Sequence, residues 1–198
     1  MSEIIIKQDK ELDCSIVEFT NANFKLVSGS VLESFKIAFK TFGTLNKSKS
    51  NAILICHALT GDQYVSGHNP ITGRDGWWSR MVGPDKPIDT NKFFVICSNV
   101  LGGCSGSTGP KQKKDVGDII YGGNFPSITI KDMVSAQVKL IDALKIDKLF
   151  SVVGGSMGAM QALQWSTDFP NRIQTIIHIA GALKHSAQNI AFHEVGRQ

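Results

Sequence analysis

A serine between glycines, Ser156, carries the strongest chemical signal in this sequence. A β-branched run over residues 149–153 precedes it and a helix-forming run follows it, which is the strand, Gly-x-Ser-x-Gly, helix order of a nucleophile elbow. We expect Gly154 and Gly158 to remove side-chain clashes at the turn, and Gly155 to tolerate unusual backbone angles. The pattern predicts that Ser156 is a nucleophile. The alternative is a glycine-rich turn whose serine only caps the next helix.

A serine that attacks an acyl group also needs two N–H donors for the oxyanion that forms. In an elbow of this kind, one donor is the residue after the nucleophile, here Met157. The other comes from the loop after an earlier strand, and the loop that begins at His57 fits this position. We expect Leu59 or Thr60 to supply this second N–H. The free N–H groups at the start of the helix after Ser156 favour the same negative charge.

The residues that could activate Ser156 are badly placed along the chain. An elbow nucleophile is followed by an acid and then a histidine, both on later strands. The acidic residues after Ser156 are Asp168, at the end of the elbow helix, and Glu194. We interpret all five histidines as structural or surface residues: His57, His68, His178, His185 and His193. The sequence therefore predicts no triad partner for Ser156 within this chain.

Strands that alternate with helices or long loops must position these residues. Alternating side chains predict antiparallel strands at 13–18, 24–27 and 34–42. Continuous apolar runs predict strands buried on both faces at Ala52–Cys56, 93–97 and 149–153. A fourth strand is predicted at 173–180, at an open edge of the sheet. Helical periodicity predicts helices at 129–144, with Thr129 or Asp132 at its start, at 157–166, and from Ala187 onward.

This element order predicts an α/β fold with a mostly parallel central sheet and antiparallel N-terminal strands. In such sheets, active sites lie beyond the carboxyl ends of the parallel strands. The segments 57–61 and 99–103 and residue Ser156 all follow predicted buried strands. We therefore expect them to meet at one edge of the sheet.

Composition is typical of a folded globular protein. The 198 residues are 42% hydrophobic and 19% charged, and we interpret residues 1–198 as a single domain. The formal net charge is only +4, and the lysines cluster only at Lys111, Lys113 and Lys114. A nucleic-acid footprint requires a concentrated basic face, so we expect no nucleic-acid partner.

The four cysteines, Cys14, Cys56, Cys97 and Cys104, form no Cys-x-x-Cys pair. We therefore expect neither a disulfide framework nor a metal site. The N-terminus lacks the apolar core of a signal peptide. No run reaches the roughly 18 apolar residues of a membrane helix. These features favour a cytoplasmic protein with no membrane partner.

From about residue 33 to its end, the chain resembles the homoserine O-acyltransferases of the α/β-hydrolase superfamily, above all the homoserine O-acetyltransferases of methionine biosynthesis. The His-Ala-Leu-Thr-Gly and Gly-Gly-Cys-x-Gly-Ser-Thr-Gly-Pro sequences are more specific to this family than Gly-x-Ser-x-Gly. The blocks that carry the resemblance include 51–62, 76–78, 99–110, 129–134 and the elbow itself.

The resemblance implies a ping-pong reaction without a bound cofactor. Ser156 would take an acetyl group from acetyl-CoA, and the hydroxyl of L-homoserine would then accept it. Met157 and the backbone around Leu59 would stabilise the oxyanion. Family members are cytoplasmic homodimers, which implies the same location and assembly here. Succinyl transfer, serine as acceptor, hydrolysis by an esterase and a non-catalytic truncated remnant stay open as alternatives.

The sequence stops soon after the predicted strand at 173–180, where a sheet of this kind continues. We therefore expect an α/β-hydrolase fold without its C-terminal strands and lid, and a chain that is inactive and poorly stable alone. The family's triad Asp and His lie in a downstream region that this sequence does not contain. The arginine that binds the substrate carboxylate is also expected there, so Arg197 is given no role.

Overall fold

The strands and helices come from a computed structural model that describes residues 3–113 and 120–198, so Lys114 of the lysine cluster lies outside the described residues. In chain order the described strands are β1 (Glu3–Asp9), β2 (Cys14–Thr20), β3 (Phe24–Lys25), β4 (Val31–Leu32), β5 (Phe35–Phe42), β6 (Ala52–Cys56), β7 (His68–Asn69), β8 (Arg74–Asp75), β9 (Val82–Gly83), β10 (Ile88–Asp89), β11 (Phe94–Ser98), β12 (Leu149–Gly155) and β13 (Ile173–Ile179). The helices are α1 (Ile130–Ala143), α2 (Met157–Asp168) and α3 (Ala187–Val195), with short 3₁₀ turns at Gly122–Asn124 and Pro170–Arg172.

Seven of these strands form one sheet in the order β1-β2-β5-β11-β6-β12-β13. The strands β1, β2 and β5 pair antiparallel, and β5 meets β11 in the same manner. The remaining pairs, β11 with β6, β6 with β12 and β12 with β13, are parallel. The predicted α/β fold with antiparallel N-terminal strands is confirmed.

The strand β6, which has a parallel neighbour on each side, shows how both faces of the sheet are covered. All five of its residues are buried, because both faces of the sheet are covered. Ala52, Leu54 and Cys56 belong to one apolar cluster with residues of α1 and α2. Ile53 and Ile55 belong to another cluster, which the long loop after β6 covers with Val65, Val82 and Trp78.

Two N-terminal elements differ from the sequence-based expectation. The strand expected at 24–27 is only the two residues of β3, because the chain turns at Leu26, whose N–H donates to the carbonyl of Ser30 and whose carbonyl accepts from the N–H of Gly29. The strand β1 is not predicted at all. Its residues are exposed apart from the partly buried Asp9, so no alternation of buried and exposed positions marks it.

Helix α1 begins where the sequence predicts. The hydroxyl of Thr129 accepts a hydrogen bond from the N–H of Asp132, and the Asp132 carboxylate accepts from the N–H of Thr129. This reciprocal capping box satisfies donors that a helix start leaves unpaired. The same carboxylate accepts from the N–H of Val27, which ties the β3–β4 hairpin to the helix.

The other sheet edge is β13, where Ile177 and Ile179 are exposed. The apolar side chains Leu183, Ile190 and Phe192, which follow along the chain, are exposed as well. None of the described helices combines the length and apolar character that crossing a membrane requires.

Candidate functional site

Three neighbouring parallel strands end at the same level of the sheet. Cys56, the last residue of β6, pairs with Ser98 at the end of β11 and with Gly154 near the end of β12. His57 follows the first of these strands, Asn99 the second and Ser156 the third. The convergence expected from the sequence is therefore observed.

The turn between β12 and α2 holds Ser156 in a strained conformation, with φ 57° and ψ −120°. A Cβ atom added at Gly158 would lie 2.0 Å from the carbonyl oxygen of Cys56, and one added at Gly154 would lie 2.1 Å from that of Gly158. The expected removal of clashes by these two glycines is therefore observed. The expectation for Gly155 is wrong. An added Cβ there meets only the oxygen of Ile179, at 3.9 Å, and the left-handed φ falls on Ser156 instead.

Ser156 precedes α2 without capping it. In the described part of the chain its side chain forms no capping hydrogen bond, so the capping alternative is wrong. The residue is exposed, and its N–H donates to the carbonyl of Ile179. Ser156 borders a mostly apolar cavity of about 320 Å³, whose lining also includes Cys56, Ala58, Trp77, Trp78, Gly155, Ile179 and Ala180.

Cys56 is the other nucleophilic side chain of this cavity. It is fully buried, and desolvation raises the pKa of its thiol to about 12, although a hydrogen bond with Gln137 opposes the shift. Because the thiolate is the reactive form, a thiol with this pKa is inert near neutral pH. The chemistry of the cavity therefore rests on the hydroxyl of Ser156.

The residues predicted to stabilise an oxyanion lie beside the elbow. Met157 and Leu59 line a second cavity, of about 290 Å³, formed also by the β11 loop and the start of α1. Thr60, the alternative donor, follows Leu59 but does not line this cavity. Among the described residues, no acceptor is found for the backbone N–H of Met157, Leu59 or Thr60. These N–H groups are therefore available to a ligand.

His57 is buried between the two loops that follow β6 and β11, as a structural histidine. Its Nδ1 lies 2.7 Å from the carbonyl oxygen of Ala58, and its Nε2 accepts from the N–H of Val100 at 3.2 Å. The side-chain nitrogen of Asn99 lies 3.4 Å from the same Nε2. Burial lowers the pKa of His57, although the Ala58 hydrogen bond and the charge of Asp62 oppose the shift. The neutral ring therefore joins the two loops.

A buried network of side-chain amides also contacts the His57 loop and the start of α2. Gln161 of α2 donates to the carbonyl oxygens of His57 and Met157, each at 3.3 Å. Its own side-chain oxygen accepts from Gln137 of α1 at 2.7 Å, and Gln137 accepts from the indole N–H of Trp165 at 2.8 Å. No sequence motif predicts this network. Its only signal is a glutamine within the apolar face of each helix.

The other candidate bases and acids lie elsewhere. Asp168 forms an ion pair with Lys131 at 3.6 Å, and Glu194 contacts Arg197. No histidine of the chain, all five being described, lines the cavity beside Ser156: His57, His68, His178, His185 and His193. Within residues 3–113 and 120–198, no group of three His, Cys, Asp or Glu side chains could hold a metal ion.

Comparisons with known proteins agree with this fold. Residues 51–194 match a family model described as alpha/beta hydrolase fold. A homoserine O-acetyltransferase of Acidiphilium cryptum is 60% identical over 171 residues, which are 86% of this chain and 45% of that protein. The chain thus spans about half the length of the curated relatives it matches.

Two solved structures are similar in fold and in sequence. A homoserine O-acetyltransferase from Bacillus anthracis superimposes with a TM-score of 0.77 at 29% identity, covering 94% of this chain and 48% of that one. Esterase E22 superimposes with a TM-score of 0.81 at 31% identity, covering 98% of this chain and 52% of that one. Similar folds therefore occur in proteins named for acyl transfer and for ester hydrolysis.

Proposed function

This chain belongs to the α/β-hydrolase fold family, and on that premise we propose that it carries the nucleophile and oxyanion hole of a homoserine O-acetyltransferase. The observation that supports acyl transfer is the strained Ser156, held beside an apolar cavity at the start of α2. The homoserine O-acetyltransferases at 55 and 60% identity support this choice of acyl transfer among the reactions that such an elbow performs.

In the proposed reaction, the Ser156 hydroxyl attacks the thioester carbonyl of acetyl-CoA. The tetrahedral oxyanion accepts hydrogen bonds from the N–H of Met157 and of Leu59, with Thr60 as the alternative to Leu59. Its collapse breaks the carbon–sulfur bond, releases the CoA thiol and leaves acetyl-Ser156. The hydroxyl of L-homoserine then attacks this ester and regenerates the serine. A general base must move the protons of the Ser156 and L-homoserine hydroxyls, and we do not assign this role to a residue of this chain.

The proposal also covers the substrates, the cofactor, the location and the oligomeric state of the protein. We expect acetyl-CoA and L-homoserine as substrates, no bound cofactor, a cytoplasmic location and a homodimer, as in the family that the sequence resembles. Succinyl transfer and serine as acceptor are the alternatives within this class, since pocket residues determine the choice of donor and acceptor.

Mass spectrometry after brief mixing with acetyl-CoA tests the proposal, in the longest natural version of the protein that contains this chain. We expect one added acetyl group on the peptide that carries Ser156, and its loss when L-homoserine is added. The Ser156→Ala variant should take up none. Cys104, the exposed free cysteine, is the competing acceptor, so Cys104→Ser should acetylate as the unchanged protein does. A folded protein without acetyl-Ser156 would contradict the proposal.

Ester hydrolysis is the second candidate, because esterase E22 has a similar fold at 31% identity. Both functions share the acetyl-serine intermediate, and they differ in what removes the acetyl group. If acetyl-Ser156 decays in water as fast as in the presence of L-homoserine, the protein is an esterase. A decay that L-homoserine accelerates at least about tenfold identifies the transferase, since binding a specific acceptor next to the ester supplies proximity that water lacks.

A further inference from the structure

We propose that His57 is a positioning residue of the oxyanion hole, whose neutral ring holds the Ala58–Leu59 peptide so that the Leu59 N–H, rather than that of Thr60, is the second donor. This inference rests on the acyl transfer proposed above. It assigns a task to a buried side chain that lies in the loop after β6 and is neither nucleophile nor base.

The hydrogen bonds of His57 define which ring nitrogen carries the proton. A backbone N–H only donates, so the Nε2 atom that faces the N–H of Val100 at 3.2 Å must present its lone pair. The proton of the neutral ring then lies on Nδ1, which donates to the carbonyl oxygen of Ala58 at 2.7 Å. The ring is 1% exposed, so water does not compete for either contact.

The Ala58 carbonyl orients the amide that follows it. A trans peptide is planar, and its C=O and N–H point in opposite directions. Because the Ala58 oxygen accepts from the His57 ring and also from the N–H of Gly61 at 2.9 Å, the plane of the Ala58–Leu59 peptide is held twice. The Leu59 N–H is thereby turned away from the imidazole. Leu59 shares a cavity wall with Met157, the proposed first donor.

Thr60 has no comparable support. Its N–H belongs to the next peptide, whose carbonyl is that of Leu59. In the described part of the chain, that carbonyl accepts no hydrogen bond. A donor must be rigid to stabilise an oxyanion without reorganisation, so the better-held amide of Leu59 is the one suited to the task.

The neutral ring is a condition of this arrangement. Protonation would place a second N–H on Nε2, directly against the N–H of Val100 and the side-chain amide of Asn99. Burial lowers the pKa of His57 and so keeps the ring neutral near pH 7, against the opposing charge of Asp62.

Two amide substitutions separate the two hydrogen bonds of the ring. In His57→Asn, the side-chain nitrogen takes the place of Nδ1 and donates to the Ala58 carbonyl, while the acceptor for Val100 is lost. In His57→Gln, the longer side chain places its oxygen near the position of Nε2 and accepts from Val100, while the donor to Ala58 is lost. The variants are matched in charge and chemistry, and they differ in which contact survives.

The test is the rate and KM of Ser156 acetylation in the longest natural version of the protein, with acetyl-CoA and with the activated ester p-nitrophenyl acetate. We expect His57→Asn to retain the rate within about fivefold. We expect His57→Gln to lose about 100-fold in rate with little change in KM, because an oxyanion donor acts in the transition state. Equal rates in the two variants, or a faster His57→Gln, would overturn the inference.

The protonation state of the His57 ring can be measured in the unchanged protein, so this test does not depend on whether a variant folds. Nitrogen-15 NMR of the imidazole should show a protonated Nδ1 and a bare Nε2 at pH 7. The opposite tautomer or a charged ring would contradict the inference. Acetylation by p-nitrophenyl acetate but not by acetyl-CoA would refute only acetyl-CoA as the acyl donor. The two His57 variants would still be compared with p-nitrophenyl acetate. No acetylation of Ser156 by either reagent would overturn both.

Discussion

The two loops that carry the proposed oxyanion donors are held in place by different forces. The elbow at Ser156 depends on close backbone approach, since a Cβ at Gly154 or Gly158 would lie about 2 Å from a carbonyl oxygen. The loop after β6 depends on hydrogen bonds that His57 and Gln161 supply from their side chains. The first donor thus depends mainly on steric exclusion and the second mainly on polar contacts.

This difference determines how substitutions disturb the conformation of each loop. A backbone clash cannot be relieved by the motion of a flexible side chain, so the elbow tolerates no added atom at these two glycines. Hydrogen bonds are lost one at a time, each with a net cost of about 1 kcal/mol or somewhat more when a buried group is left unpaired. Substitutions should therefore abolish the elbow but weaken the His57 loop in steps.

The largest effect is expected for Gly158→Ala. The new Cβ would lie 2.0 Å from the Cys56 carbonyl, so α2 must move away from β6. We expect a loss of about 3 kcal/mol or more in the free energy of unfolding, measured by urea denaturation. Gly155→Ala is the matched control, because its Cβ meets nothing closer than 3.9 Å, and it should cost less than about 1 kcal/mol. Equal losses in both variants would refute the steric account.

A smaller effect is expected for Gln161→Met. This change leaves the His57 carbonyl and the Gln137 amide buried without their partner, at an expected cost of about 2 kcal/mol in unfolding free energy. Gln164→Met, on a more exposed part of the same helix, is the control and should cost less than about 0.5 kcal/mol. If the two variants denature at the same urea concentration, the amide network does not stabilise the loop.

The smallest effect is a dependence of stability on pH that originates in the His57 loop. Burial lowers the pKa of His57 in the folded chain, whereas in the unfolded chain it lies near its usual value of about 6.5. Below about pH 6.5 the unfolded chain binds a proton that the fold excludes, so this contribution to stability is complete above that pH and is lost as pH falls. The Asp62 carboxylate reduces the effect.

Thermal unfolding between pH 7.5 and 5 measures this contribution. We expect the melting temperature of the unchanged chain to fall more over this range than that of His57→Asn, which has no titrating ring. Melting curves that shift in parallel would show that His57 does not titrate in this range. Ser156→Ala, at the elbow, should follow the unchanged chain, because this variant retains the His57 ring.

Much of the fold could be predicted because its strands and helices are determined by patterns of neighbouring residues. The buried strand β6 and the helix α1 follow from a continuous apolar run and a capping box, both written in neighbouring residues. The strand β1 could not be predicted, because its exposed residues have no apolar alternation and only its pairing with β2 makes it a strand.

By itself, the sequence determined the elbow, since a serine between glycines at a strand-to-helix junction has few other uses. Only the tertiary structure decided that the strain falls on Ser156 and not on Gly155. It also decided what holds the second donor, because His57 meets Val100 across 43 residues of chain and Gln161 meets His57 across 104. The steric contact between Gly154 and Gly158 lies within one motif and can be read from it, whereas the contact of Gly158 with Cys56 depends on the tertiary structure. Hydrogen bonds between separate strands and helices form only when the sheet brings their ends together.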